Sequence, residues 1–230
     1  GGRYTFAMGN AKEENHQQLK NNIISCTLNW PMSVIRIKGN HIDNLVEAAY
    51  EILIKWVSYS DESVGIISET NNEPHNAITP ICRFRNGLYE LDLVLRNNRT
   101  TKERPYGLFH PREEYHNIKK ENIGLIEVMG LAVLPSRLKR EMEEVKKYLL
   151  EGELDGIKKQ KDLSKHYDFA VNIYERNEIN KDNIGKIIEN EIGRVFLNVL
   201  KDAAVFKDNV KGKEAFAKCR ETLLSNLIPN

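Results

Sequence analysis

The chain has 230 residues, of which 40% are hydrophobic and 29% carry a charged side chain, and its formal net charge is +1. This composition is typical of a soluble globular protein, and no apolar run approaches the length of a membrane span. A charge so near zero gives no reason to expect nucleic acid or a membrane surface as a partner.

The three cysteines indicate the compartment in which the protein works. Cys26, Cys82 and Cys219 are odd in number, lie far apart and include no C-x-x-C pair. They are typical of reduced structural thiols, and they favour neither a disulfide framework nor a zinc site. We therefore expect a cytoplasmic protein.

The first third of the chain predicts short strands and one helix. Apolar runs predict four strands, at residues 3–8, 23–30, 33–38 and 64–68. Residues 10–22 are polar and rich in Asn, which predicts a loop. Asp43 is a suitable N-cap for a helix that runs to about Val57, with its apolar residues at helical spacing.

The stretch from Glu69 to Asn98 carries the clearest structural signal in the sequence. Asn86-Gly87 lies between two runs that can pair, which predicts a hairpin with a two-residue turn. This turn places Arg83 opposite Glu90. Because side chains alternate along a strand, one face of the hairpin is apolar and the other largely polar. We expect the apolar face to be core.

The polar face of this hairpin admits two interpretations. Its members are His75, Thr79, Arg83, Arg85, Glu90, Asp92 and Arg96. Antiparallel sheets often leave one face to water, and the charged pairs are then surface ion pairs that stabilise little. Alternatively, a His, a Thr, two carboxylates and three Arg on one rigid surface suit an anionic, hydroxyl-rich ligand. The residues alone leave both interpretations open.

Two segments that follow the hairpin contain further candidate residues. Residues 98–121 predict a long polar loop, which ends in Lys119 and Lys120. Residues 122–135, NIGLIEVMGLAVLP, are apolar on nearly every side and predict a buried helix whose only charge is Glu127. A buried acid requires a partner, so Glu127 either makes a structural ion pair or accepts hydroxyl groups of a ligand.

Gly124 and Gly130 lie three residues either side of Glu127, on roughly the same face of this predicted helix. Each glycine costs a helix about 1 kcal/mol relative to alanine, so both favour something packed close against them.

The rest of the chain predicts helices separated by a charged connector. An amphipathic helix runs from Pro135 to about Leu150, and residues 151–182 predict a solvated connector with a short helix near 169–174. A strong amphipathic helix spans 183–206, and a last helix follows with Phe216, Cys219 and Leu223 on its inner face.

Several of these segments resemble one enzyme family. The sequences EPHN, ELDLVLRNN, HNIKKENIGLIEVMGLAVLPSRL, EIGRVF and DAAVFK are similar to those of the class II galactose-1-phosphate uridylyltransferases, also called UDP-glucose–hexose-1-phosphate uridylyltransferases. The resemblance covers essentially the whole chain and is more specific than a short motif.

The resemblance implies a fold of the α+β class. Its antiparallel sheet is of the histidine-triad-like half-repeat type, packed with helices and followed by a C-terminal helical tail. Residues 1–150 are then the second histidine-triad-like half of the transferase, with residues 1–22 continuing the preceding half. Residues 151–182 form the charged connector and 183–230 the C-terminal helical segment.

The resemblance also implies where the nucleophile lies. In this family an H-x-H-x-Q signature carries the catalytic His, and the residues after it resemble GGRYTFAM, with which this chain opens. The signature does not occur in these 230 residues. We therefore expect a C-terminal part of the enzyme that holds no catalytic residue, is inactive alone and requires the N-terminal half.

The family's substrates, UDP-glucose and galactose 1-phosphate, imply roles for the candidate residues. Lys119, Lys120 and Asn122 would meet phosphate, and Glu127 would accept sugar hydroxyls close to Gly124. The hairpin would contribute His75, Arg83, Asp92 and Arg96. We expect no cofactor and no metal, because Asp92 and Val94 stand about where the related class I enzymes have two metal-binding His besides one near His75.

Two other interpretations remain at this stage. The chain is alternatively a non-catalytic module that binds sugar nucleotides or dimerises on the same scaffold, or a fragment with no binding of its own. A homodimer is compatible with each interpretation.

Overall fold

The structure, a computed structural model, describes residues 8–229. Two compact units divide these residues, and each has its own hydrophobic core. The sheet unit comprises residues 8–110 and the segment from Leu200 onwards, and the helical unit comprises residues 111–199. The strand predicted at residues 3–8 lies outside the described residues except for Met8.

The strands of the sheet unit are β1 (Glu13–Gln18), β2 (Ile24–Leu28), β3 (Val34–Gly39), β4 (Glu69–Thr70), β5 (Glu73–Pro74), β6 (Asn76–Arg85) and β7 (Leu88–Asn97). Five of them form an antiparallel sheet in the order β1-β2-β3-β7-β6. The two short strands β4 and β5 pair only with each other. The helices of this unit are α1 (Ile42–Val57) and α7 (Val210–Leu224).

The predicted hairpin is confirmed as β6 and β7. Arg85 pairs with Leu88, and Arg83 pairs with Glu90, which is the predicted register. Asn86 and Gly87 have φ angles of 52° and 77°. Two successive residues with positive φ are what the tight hairpin turn requires, and Asn-Gly adopts them with least strain.

The core of the sheet unit lies between the apolar sheet face and the two helices. Leu91, Leu93 and Leu95 of β7 are buried there, as predicted, together with Trp56 of α1. The indole Nε1 of Trp56 donates to the carbonyl oxygen of Ala77, 2.9 Å away. The helix is therefore tied to strand β6 by a hydrogen bond as well as by apolar contact.

The helical unit packs short and long helices around a second core. Its helices are α2 (Leu125–Val128), α3 (Ser136–Glu151), α4 (Leu154–Lys159), α5 (Tyr167–Arg176) and α6 (Ile184–Ala203), the last of which ends beyond the unit. Residues 151–182, predicted as a solvated connector, contain α4 and α5, and Ile157, Phe169 and Ile173 are buried in the core. The predicted division into residues 1–150, 151–182 and 183–230 stays a prediction.

The α+β class is confirmed, because an antiparallel sheet and helices form one chain with helices at its C-terminal end. Within residues 8–229, none of the helices has the length and apolar character needed to cross a membrane.

Two predicted elements of the sheet unit are wrong. Residues 10–22 contain strand β1, which pairs with β2 at the edge of the sheet across an irregular register. An edge strand needs only one row of backbone hydrogen bonds and tolerates polar side chains. The polar sequence of β1 therefore lacks the apolar alternation by which strands are predicted. Residues 64–68 form no strand; a 3₁₀ turn, Glu62–Val64, lies between Asp61 and Ile66, which form a single bridge.

The buried helix predicted at 122–135 is also wrong. Only one helical turn, α2, forms there, and Gly130 has a φ of 98°, which a right-handed helix does not allow. Four of the large apolar residues of this segment, Leu125, Ile126, Leu131 and Val133, remain 40–52% exposed. Apolar composition without a sustained helical period therefore did not distinguish a core helix from a partly exposed turn.

Candidate functional site

On the polar face of the hairpin, Asp92 is the centre of an ion network. Its carboxylate has no exposed surface and accepts from Arg36 at two positions, Nε to Oδ1 at 2.6 Å and Nη2 to Oδ2 at 3.0 Å. Arg83 Nη1 lies 2.5 Å from Oδ2. Because both oxygens are occupied by guanidinium groups, Asp92 positions Arg36 and Arg83 and has little capacity left for a ligand.

The network continues across the sheet to the edge strand. Arg36 Nη1 donates to Glu13 Oε1 at 3.0 Å, and Lys38 Nζ lies 2.6 Å from Glu13 Oε2. Burial raises the pKa of Glu13, but these hydrogen bonds outweigh it and lower the pKa to about 2. The carboxylate therefore stays ionised at neutral pH and holds both cations.

Of the two interpretations of the polar face, the one that leaves it to water is wrong for its centre. Asp92 and Glu90 are buried, and so are the two apolar members of the same face, Ile81 and Val94. The described segment before β1 reaches this face, since Arg85 Nη2 donates to the carbonyl oxygen of Gly9 at 2.5 Å. Ion pairing with three arginines allows the carboxylates to be buried.

The other end of the hairpin carries two nitrogen atoms that lack partners among the described residues. His75 is buried, and its Nε2 makes no hydrogen bond within residues 8–229. Arg96 stacks on the Phe109 ring at 3.9 Å and donates to Thr79 Oγ1 and Asn98 Oδ1, both at 3.3 Å. Its Nε is buried without a partner in the part of the chain that the structure describes.

Arg96 has no carboxylate partner within residues 8–229, and burial lowers its pKa. A partly buried cation without a counter-ion favours an anion beside it. Arg83 has a similar free donor, because its Nη2 is buried and makes no hydrogen bond to any described residue.

In the helical unit, Glu127 is held at both oxygens. Oε1 lies 2.7 Å from Lys119 Nζ, and Oε2 accepts from the backbone nitrogen of Gly124 at 2.5 Å. Both charged side chains are buried. Of the two interpretations of Glu127, this geometry supports the structural ion pair, in which the carboxylate fixes Lys119 and caps the first turn of α2.

The neighbouring candidates are placed differently. Lys120 and Asn122 are exposed, as is Gly124. A Cβ added to Gly124 would lie 3.2 Å from Glu127 Oε2, so the glycine leaves room for that carboxylate. Helix α2 has four residues, so its N-terminus supplies little of the partial positive charge expected for phosphate. The substrate roles of all these residues stay predictions.

Among the described residues, one group of side chains is close enough to share a metal ion. The ligand atoms of Glu13, His16 and Cys26 lie within 4.8 Å of one another. Burial raises the pKa of the Cys26 thiol to about 12, and Glu13 is already paired with Lys38 and Arg36. A cation would meet two positive charges and a protonated thiol, so this group suits a metal poorly.

Sequence reasoning missed three members of the polar network: Glu13, Arg36 and Lys38. A signal for two of them was present, because Arg36 and Lys38 alternate with the buried residues Ile35 and Ile37 along β3. That alternation places both cations on one face of the sheet. Glu13 lay in a segment predicted as a loop and gave no such signal.

Comparison with known protein families identifies a matching family model. The sequence model described as "Galactose-1-phosphate uridyl transferase, C-terminal domain" matches residues 6–170.

The chain belongs to this family.

Curated relatives of the uridyl transferase family agree with this assignment. The galactose-1-phosphate uridylyltransferases of Clostridium acetobutylicum, Ligilactobacillus salivarius and Bacillus subtilis are 51%, 48% and 45% identical to the chain. Each match covers 95% of this chain but only 43–44% of the relative. The chain therefore spans less than half the length of these relatives.

No solved structure matches the chain. For this member of the uridyl transferase family, the histidine-triad-like type of the sheet accordingly remains what the sequence resemblance implies. The ion network around Asp92 and the pair Lys119–Glu127, in contrast, are observed in the structure of this chain.

Proposed function

We propose that the chain is the C-terminal part of a hexose-1-phosphate uridylyltransferase, which moves UMP from UDP-glucose to galactose 1-phosphate. The observation that carries the proposal is the similarity to curated galactose-1-phosphate uridylyltransferases over 95% of the chain, at up to 51% identity. Identity at this level over so long a segment supports a common activity.

The proposed reaction is a double displacement. A His nitrogen attacks the α-phosphorus of UDP-glucose, the bond from that phosphorus to the bridging oxygen breaks, and glucose 1-phosphate leaves. A phosphate oxygen of galactose 1-phosphate then attacks the same phosphorus, the P–N bond breaks, and UDP-galactose leaves. The nucleophilic His is expected in the N-terminal part, upstream of Gly1.

The role proposed for this chain is to bind and orient the substrates. Among residues 8–229, the donors Arg83 Nη2 and Arg96 Nε and the ring nitrogen His75 Nε2 have no partner, which supports an anionic ligand on the sheet face. Arg83 is held by Asp92, which lies four residues from Arg96 on β7, or about 13 Å away. This span suits a nucleotide sugar better than a single phosphate. In the helical unit, Lys119 is the cation that Glu127 holds in a fixed position.

A non-catalytic module that binds sugar nucleotides is the second candidate. The same unpaired donors favour it, because binding requires no nucleophile. The two candidates differ in what the chain does once it is joined to an N-terminal part.

Assay of the purified 230-residue chain tests the assignment of the nucleophile to the N-terminal part. We expect no exchange of the uridylyl group between UDP-glucose and galactose 1-phosphate above background. Turnover by the chain alone would place a nucleophile within these residues and contradict the proposal.

A further inference from the structure

Helix α1 carries large apolar side chains on two faces. One face, with Leu45, Ile52 and Trp56, is buried against the sheet. The other face forms what we call the outer stripe, in which each side chain is 36–61% exposed. The outer stripe consists of Ile42, Val46, Tyr50, Ile54 and Val57.

The outer stripe is continuous. Its members follow one another at intervals of four, four, four and three residues, so they line one side of the helix from its first residue to its last. At 1.5 Å per residue the stripe is about 22 Å long. Single exposed apolar residues are normal on a protein surface, but a helix that is apolar on both sides is typical of one buried on both sides.

Charge argues against a second copy of the chain as the partner. Asp43, Glu47 and Glu51 follow the same helical spacing and form an acidic flank along one side of the stripe. In a two-fold antiparallel pair of α1 helices, this flank would face itself. The one cation in that row, Lys55, donates to Ser225 Oγ at 2.7 Å within the chain.

We infer that the outer stripe is the surface on which the N-terminal part of the enzyme packs, through an apolar face flanked by Lys or Arg. This inference rests on the proposed function. The relatives extend well beyond the matched segment, which is described as the C-terminal domain, so their N-terminal part supplies a partner of sufficient size. A basic flank on that partner pairs with the acidic flank of α1.

Binding of the two parts tests the inference. The probe is the N-terminal portion of the Clostridium acetobutylicum relative, co-expressed with this chain and quantified as a complex by analytical ultracentrifugation. We expect a one-to-one complex with wild-type chain. The double variant Val46→Lys, Tyr50→Lys is expected to weaken it at least tenfold, or about 1.4 kcal/mol, because it places two charges at the centre of an apolar contact.

The control is Val210→Lys, which adds one Lys at the first residue of α7, where the side chain is 75% exposed. It is expected to leave the affinity within about twofold of wild type, since surface substitutions outside an interface change little. Circular dichroism of each variant separates loss of binding from loss of fold.

Three results would overturn the inference. These are the absence of any complex, a complex insensitive to the double variant, and a homodimer of this chain alone that the double variant dissociates. A complex that behaves as expected but transfers no uridylyl group would leave the inference standing and count against the proposed function.

Discussion

Asp92 shows how a carboxylate with no exposed surface is kept in the sheet. It receives three charge-assisted hydrogen bonds from Arg36 and Arg83, and these compensate for the loss of water around all three charges. Arg36 is equally buried, so neither side of the pair can recover hydration if the other is lost.

Substitution Asp92→Asn is therefore expected to destabilise the chain by about 3–5 kcal/mol, because it removes the counter-charge of Arg83 and the bidentate partner of the buried Arg36. Among the described residues, Arg36 then keeps only its ion pair with Glu13. The matched control is Glu90→Gln, whose partner Arg85 is 39% exposed and can be rehydrated. Its expected cost is about 1 kcal/mol. Urea unfolding measures both, and equal losses would contradict a central role for Asp92.

Glu127 is expected to matter for stability, since both of its oxygens are occupied within the chain. Glu127→Gln should cost about 1–3 kcal/mol, because the amide leaves Lys119 buried without its charge partner. If Glu127 binds the sugar instead, stability changes little and kcat/KM of an assembled enzyme falls roughly tenfold to a hundredfold. Melting temperature and kinetics measured on one variant separate the two roles.

His166 predicts a pH dependence of stability. Its ring is fully buried, and Nε2 lies 2.9 Å from Glu141 Oε2, where Arg137 and Lys165 also converge. Burial lowers the pKa of His166 below its ordinary 6.5, although the nearby carboxylate opposes the shift. The unfolded chain thus binds more protons than the folded chain just below pH 6.5, and stability falls as pH falls.

The measurement is the free energy of unfolding of wild type and of His166→Gln at pH 7.5 and 5.5. This interval lies above the ordinary pKa of 4.5 of Glu141, so the carboxylate contributes little to the change. We expect wild type to lose more stability than the variant over the interval. Parallel losses in both proteins would show that other groups set the pH dependence.

At the scale of elements, the sequence predicted those features that depend on residues close together in the chain. The Asn86-Gly87 turn fixes the register of β6 and β7, and the apolar spacing of α1 identifies the face that meets the sheet. Strand β1 was not predicted, because backbone hydrogen bonds stabilise an edge strand even when its side chains are polar. Similarly, the pairs Arg36–Asp92 and Lys119–Glu127 join residues from different elements, which no local pattern reveals.

The turn itself gives a test with a control of opposite sign. Gly87→Ala should destabilise the chain by roughly 1–2 kcal/mol, because φ of 77° is unfavourable for a residue with a Cβ. Gly193→Ala, inside α6 where a Cβ meets nothing within 4 Å, should stabilise it by about 0.5–1 kcal/mol. Thermal unfolding of both variants measures the two stability changes. Stability changes of the same sign in the two variants would contradict the account.

At the scale of the whole molecule, the polar sheet face and the buried pair Lys119–Glu127 belong to different compact units. The chain spans less than half the length of its relatives. We propose that it binds and positions substrate for a nucleophile supplied by the N-terminal part.

The most direct test of this claim is uridylyl exchange by a fusion of this chain behind the N-terminal portion of the Clostridium acetobutylicum relative. Covalent fusion removes any dependence on how tightly the two parts associate. The account predicts turnover of UDP-glucose and galactose 1-phosphate, abolished when the His of the H-x-H-x-Q signature in the N-terminal portion is replaced by Gln. A folded fusion that binds UDP-glucose but transfers no uridylyl group would contradict it.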